Sequence, residues 1–90
     1  MSSKNTKKPW FLYVVRCSDD TFYTGVTSNI DRRVNEHNHS SNGAKYTKTR
    51  RPVQLIYWRD FKDRSAAQKA EYKFKKLTRC QKEKIINEYL

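Results

Sequence analysis

Residues 10 to 16 (WFLYVVR) are an almost unbroken apolar and aromatic run, β-branched at Val14 and Val15. That is the pattern of a strand covered on both faces. Ser18-Asp19-Asp20 is a cluster of turn formers, and Thr21 to Val26 reads as a second short strand, so the two predict a hairpin. A loop of about three residues pairs Cys17 with Thr21 and sets Tyr13 diagonal to Tyr23. Side chains alternate with period two along a strand, which puts both tyrosines on one face.

Thr27-Ser28-Asn29 supplies capping oxygens ahead of a helix from Ile30 to about His39, with Ile30 and Val34 facing inward. Ser40-Ser41-Asn42-Gly43 ends it. Ala44 to Arg51 is a basic loop or short helix, stopped by Pro52, and Val53 to Arg59 reads as a third strand. From Arg64 to Leu77 the apolar positions Ala67, Ala70, Phe74 and Leu77 recur three or four apart, the stripe of an amphipathic helix. Thr78 caps a last helix to about Tyr89, with Ile85, Ile86 and Tyr89 inward. The order β-β-α-β-α-α predicts an α/β chain of the α+β kind, a small three-stranded, largely antiparallel sheet flanked by helices.

Composition narrows what such a domain does. Ninety residues make one domain with a modest core, 36% of them hydrophobic and many of those aromatic. Residues 1–9 carry three lysines and no acid and read as a flexible basic arm; residues 10–90 form the domain. The net charge is +11, and subtracting the arm's three lysines leaves +8 on the folded part. A field of that sign attracts polyanions through phosphate contact and counterion release, so DNA is the expected partner, with RNA not excluded. No segment approaches the ~18 apolar residues of a membrane span, and nothing at the start resembles a leader. The two cysteines, without metal-binding spacing, fit a reducing intracellular compartment.

Against that charge, a few side chains stand out. Tyr13 and Tyr23 could simply be strand aromatics, a cross-strand pair worth roughly 0.2–1 kcal/mol. Gly25 shifts the reading, because a glycine inside a short strand marks a place where something passes close to the backbone. It predicts a gap on the phenol face for a phosphate or water. Arg33 and His37 lie four apart and share a helix face at the border of its apolar stripe. Their ordinary alternatives are a solvated arginine and a surface histidine. Glu71 falls inside the Ala67–Phe74 stripe, where a carboxylate is costly unless paired, for instance with Arg33, or bound to a cation. One carboxylate with waters and a phosphate oxygen is a usual way to hold Mg²⁺. Lys45, Tyr46, Lys48, Arg50 and Arg51 form a nucleic-acid-binding stretch, in which Tyr46 is either a stacking ring or one more core aromatic.

In this order and spacing, Phe11-Leu12-Tyr13, Tyr23-Thr24-Gly25, Arg33, His37 and Glu71 resemble a GIY-YIG nuclease domain. The similarity covers residues 10 to about 77 and is strongest to small stand-alone members, which share counterparts of Gly43 to Lys48 and Lys76 to Arg79. The resemblance implies an endonuclease that hydrolyses DNA phosphodiesters to 5′-phosphate and 3′-hydroxyl using Mg²⁺ or Mn²⁺. It makes Tyr13, Tyr23, Arg33, His37 and Glu71 the catalytic set, with Glu71 the metal ligand. Two departures bear on it. The first motif keeps only its tyrosine, and Val26 stands where some relatives carry a lysine. The rival expectation is a non-catalytic module that keeps the fold to bind nucleic acid or a protein partner.

Overall fold

The computed structural model describes residues 8–89; the expected arm lies almost wholly outside them. The order is β1 (Trp10–Arg16), β2 (Phe22–Thr27), α1 (Ile30–His39), α2 (Lys45–Lys48), β3 (Gln54–Phe61), α3 (Arg64–Lys75) and α4 (Arg79–Tyr89). The basic segment after α1 thus contains a single helical turn, and the third strand runs two residues beyond the expected Arg59. The three strands form an antiparallel sheet in the order β2-β1-β3, with helices on both faces.

The hairpin closes as its sequence demands, Cys17 N–H donating to the Thr21 carbonyl at 2.8 Å. Asp20 takes the left-handed turn position at φ 70°, which Asp tolerates better than most residues. Tyr13 pairs with Gly25 and Val15 with Tyr23, so the two tyrosines are diagonal neighbours on one face. On that face Tyr13, Val15, Cys17 and Val53 form a buried cluster joined by Tyr23, Val34 of α1 and Leu55. The opposite face carries Leu12, Val14 and Tyr57 under Phe74 of α3 and Ile86 of α4. Tyr57 and Leu55 are two apart yet belong to opposite faces. β3 pairs Tyr57 with Val14 but Leu55 with Val15, leaving Ile56 as an extra residue, and such a bulge inverts the alternation.

Caps fix where the helices begin. The Asn29 side chain accepts from Arg32 N–H at 3.0 Å and Asp63 from Ala66 N–H at 2.9 Å. Thr78 accepts from Gln81 N–H while the Gln81 side chain accepts from Thr78 N–H, a reciprocal box that starts α4.

Candidate active site

The phenol face is built around a buried polar chain. Tyr13 is 1% exposed and His37 0%, and the Tyr13 hydroxyl lies 2.7 Å from His37 Nε2. His37 follows Ile30 by seven residues and Val34 by three, so it falls on the inward stripe of α1 and is buried, not bordering as expected. Its other ring nitrogen, Nδ1, meets the Thr47 hydroxyl at 2.9 Å and the Ala44 N–H at 3.3 Å. Thr47 is itself fully buried. Nothing in the sequence singled Thr47 out, because its partner lies ten residues away on another element.

Gly25 serves this chain, and the gap expected beside it is filled. A Cβ at Gly25 would stand 2.6 Å from the Tyr13 hydroxyl oxygen and 2.8 Å from its Cζ. The group passing close to the glycine backbone is the protein's own phenol. Gly43 has a matching role, since a Cβ there would meet the Glu36 carbonyl oxygen at 2.6 Å and His37 Cα at 2.9 Å. Only a bare backbone lets this loop lie on the end of α1 and bring α2 under His37.

Arg33 stands beside Tyr13. Its guanidinium donates at 2.9 Å to Glu36 and at 2.9 Å to the Asn42 carbonyl, and it also acts on the Tyr13 hydroxyl. Burial works against the Arg33 charge, but its hydrogen bond to Glu36 and the nearby Tyr13 outweigh it and raise its pKa. Burial likewise pushes Tyr13 up to about 12, opposed by Arg33 and reinforced by the nearby Tyr23 and Glu71. His37 is pushed the other way, down to about 4, by burial first and then by the Arg33 charge. Tyr23, half-buried, lies edge-on to His37 with ring centroids 5.2 Å apart.

A family model, the GIY-YIG catalytic domain, matches residues 9–84. The chain belongs to the GIY-YIG family. Among its relatives, the UPF0213 protein YazA of Bacillus subtilis is 51% identical over 78 residues, 87% of this chain and 78% of YazA. A UPF0213 protein of Pediococcus pentosaceus is 51% identical over 77 residues, 86% of this chain and 80% of that protein. Two solution NMR structures share the fold. EF2693 of E. faecalis is 48% identical with a TM-score of 0.64, covering 92% of this chain and 88% of that one. The UPF0213 protein BH0048 of Bacillus halodurans is 37% identical with a TM-score of 0.57, covering 88% and 83%. Membership in a GIY-YIG family implies endonuclease chemistry and a nucleic-acid substrate.

The remaining candidate residues of this GIY-YIG chain are placed unevenly. Glu71 lies at the border of the α3 stripe rather than within it, its side chain 22% exposed, and it pairs with Lys75 at 3.1 Å instead of Arg33. The stripe of α3 packs on the face opposite the phenols, yet the Glu71 carboxylate is near enough for its charge to act on Tyr13. Among the described residues no three His, Cys, Asp or Glu side chains group into a metal cage. A divalent cation would therefore rest on Glu71 alone, with water and substrate oxygens completing its shell, a mode that suits Mg²⁺.

The two arginines of the expected nucleic-acid stretch are held by the protein. Arg51 donates to the carbonyls of Glu36, His37 and Ser40 at the end of α1. Arg50 pairs with Asp19 at 3.0 Å, donates to the Tyr46 carbonyl and lies 3.8 Å over the Tyr46 ring. Tyr46 is 37% exposed, and its ring stacks with that of Tyr23, the centroids 5.9 Å apart. Lys45 and Lys48 are exposed with no partner among the described residues. A separate cavity of about 670 Å³ opens between β3 and α4, and none of the candidate residues lines it.

Proposed function

We propose that this protein is a metal-dependent endonuclease that cleaves DNA phosphodiesters, leaving 5′-phosphate and 3′-hydroxyl, with structure-guided or low sequence specificity. The observation that carries the reading is the buried Tyr13–His37 hydrogen bond of 2.7 Å on the face that Tyr23 shares.

Tyr13 at about 12 is a neutral phenol near pH 7, so no phenolate waits for substrate. Passing its proton to His37, at about 4, is uphill by on the order of 10 kcal/mol in the free protein. The base is made when substrate binds. A phosphodiester anion against Arg33 neutralises one of the charges that hold His37 down, and its basicity rises. Tyr13 then accepts a proton from the attacking water as its own passes to His37 Nε2. Arg33 stabilises the charge that develops on the phosphoryl oxygens, and Tyr23 positions water or phosphate. Glu71 would hold Mg²⁺ or Mn²⁺, which supplies Lewis-acid stabilisation of phosphate and leaving group when bound.

The test is strand scission of supercoiled and branched DNA, with and without Mg²⁺, beside a Glu71→Gln variant. Glu71→Gln should lose cleavage by roughly 10²-fold or more while binding persists. Cleavage by that variant at the wild-type rate would refute the metal role.

The near-complete burial of Tyr13 and His37 favours one second reading, a basic binding module that keeps the nuclease fold. It expects salt-sensitive binding and no Mg²⁺-dependent scission from the wild-type protein.

A further inference from the structure

His37 has two ring nitrogens, and which one carries the proton decides the direction of its bond to Tyr13. The protein around Nδ1 makes that choice. Thr47 has a single hydroxyl proton, and its oxygen lies 2.9 Å from the Ala44 carbonyl, which can only accept. Spending the proton there leaves the Thr47 oxygen as an acceptor toward His37 Nδ1, also at 2.9 Å. Nδ1 is then the protonated nitrogen, and Nε2 presents a lone pair to the Tyr13 hydroxyl at 2.7 Å.

One contact pulls the other way. Ala44 N–H also points at Nδ1, at 3.3 Å, and as a donor it prefers that nitrogen bare. If Nδ1 gave up its proton and Thr47 turned to donate there, Thr47 would lose its bond to the Ala44 carbonyl, and the buried Tyr13 O–H would lose Nε2 as its acceptor. Ala44 is half-buried, so water can serve its N–H instead.

We propose that Thr47 is a positioning residue that holds His37 as the Nδ1–H tautomer, leaving Nε2 as the acceptor for the Tyr13 proton. The catalytic consequence rests on the nuclease reading above. In the opposite tautomer Nε2–H would donate to the phenol oxygen, occupying a lone pair that the attacking water needs and closing the outlet for the Tyr13 proton. Thr47→Val keeps the side-chain shape but removes the acceptor. The partner then left at Nδ1 is the Ala44 donor, and the ring proton moves to Nε2.

The experiment is long-range ¹H–¹⁵N correlation of the histidine ring nitrogens in uniformly labelled protein, with His37 assigned against a His39→Gln variant. Wild-type protein should show His37 protonated at Nδ1, Thr47→Val at Nε2, and Thr47→Ser at Nδ1 again. In parallel, Mg²⁺-dependent nicking of supercoiled plasmid should lose roughly 10²-fold in kcat in Thr47→Val with KM unchanged, and recover in Thr47→Ser. A wild-type His37 protonated at Nε2 overturns the proposal, as does a Thr47→Val protein that keeps Nδ1–H or full turnover. The wild-type spectrum decides the tautomer even where the valine variant folds poorly. Plasmid left uncut by the wild-type protein counts against the nuclease reading, while the spectrum still judges Thr47.

Discussion

His37 shows how one buried side chain sets a pH dependence. Burial, then the Arg33 charge, holds it near 4 in the folded protein, with Glu36 opposing and Arg51 adding to the depression. In the unfolded chain it titrates near 6.5. Between those values the unfolded chain binds a proton that the native state refuses. The contribution is therefore complete above about pH 6.5 and is lost as pH falls toward 4, roughly 3 kcal/mol in all. Urea midpoints measured from pH 7.5 to 4 should fall more steeply for the wild-type protein than for His37→Gln, although the variant starts less stable. Parallel curves would show that His37 carries no such linkage. Tyr13 acts at the other end of the scale. Its rise from 10 to about 12 gives stability that is complete below pH 10 and lost between 10 and 12.

At the scale of elements, the end of α1 is where the basic segment takes up structural work. Arg51 donates to the carbonyls of Glu36, His37 and Ser40 at the end of α1, of which Glu36 also accepts from Ser40 N–H, and its charge meets the negative end of the helix dipole. Asn38 completes the junction, accepting from Val53 N–H at 2.7 Å and donating to the Val53 carbonyl at 3.1 Å. Arg51→Met should destabilise the fold by about 1–3 kcal/mol, read as a lower urea midpoint, and Arg51→Lys should restore only part of that. The elements themselves were legible because each carries a local signal. Val14 and Val15 mark the central strand, Asp19-Asp20 the turn, Asn29 and Thr78 the caps, and the Ala67–Leu77 stripe the third helix. Arg50 and Arg51 belong to a run of positive charge, which looks the same in sequence whether it faces water or folds back. The partners of Arg51 lie 11 to 15 residues upstream, beyond any periodicity. The β3 bulge at Ile56 has no local sequence mark for a similar reason, since it exists only relative to β1. Of the candidate site, the phenol pair, Arg33 and His37 followed from strand and helix spacing, whereas Thr47, Glu36 and Gly43 act through the packing of the α1–α2 loop.

Over the whole molecule, the net charge of +11 sets the reach of the field, but only unpaired exposed cations release counterions from a polyanion. Within the expected contact stretch that separates Lys45 and Lys48, exposed beside the Tyr23–Tyr46 stack, from Arg50 and Arg51, which are held by the protein. Both lysines sit on α2, the turn that carries Thr47 beneath His37. Affinity for a short DNA duplex, measured across ~50–200 mM salt, should fall as a straight line in log–log form. Lys45→Ala and Lys48→Ala should each reduce that slope by about one while moving stability by no more than about 0.5 kcal/mol. Arg51→Met should do the reverse, lowering stability and leaving the slope alone. An Arg51 variant that flattens the salt dependence as a lysine variant does would return that arginine to the nucleic-acid surface.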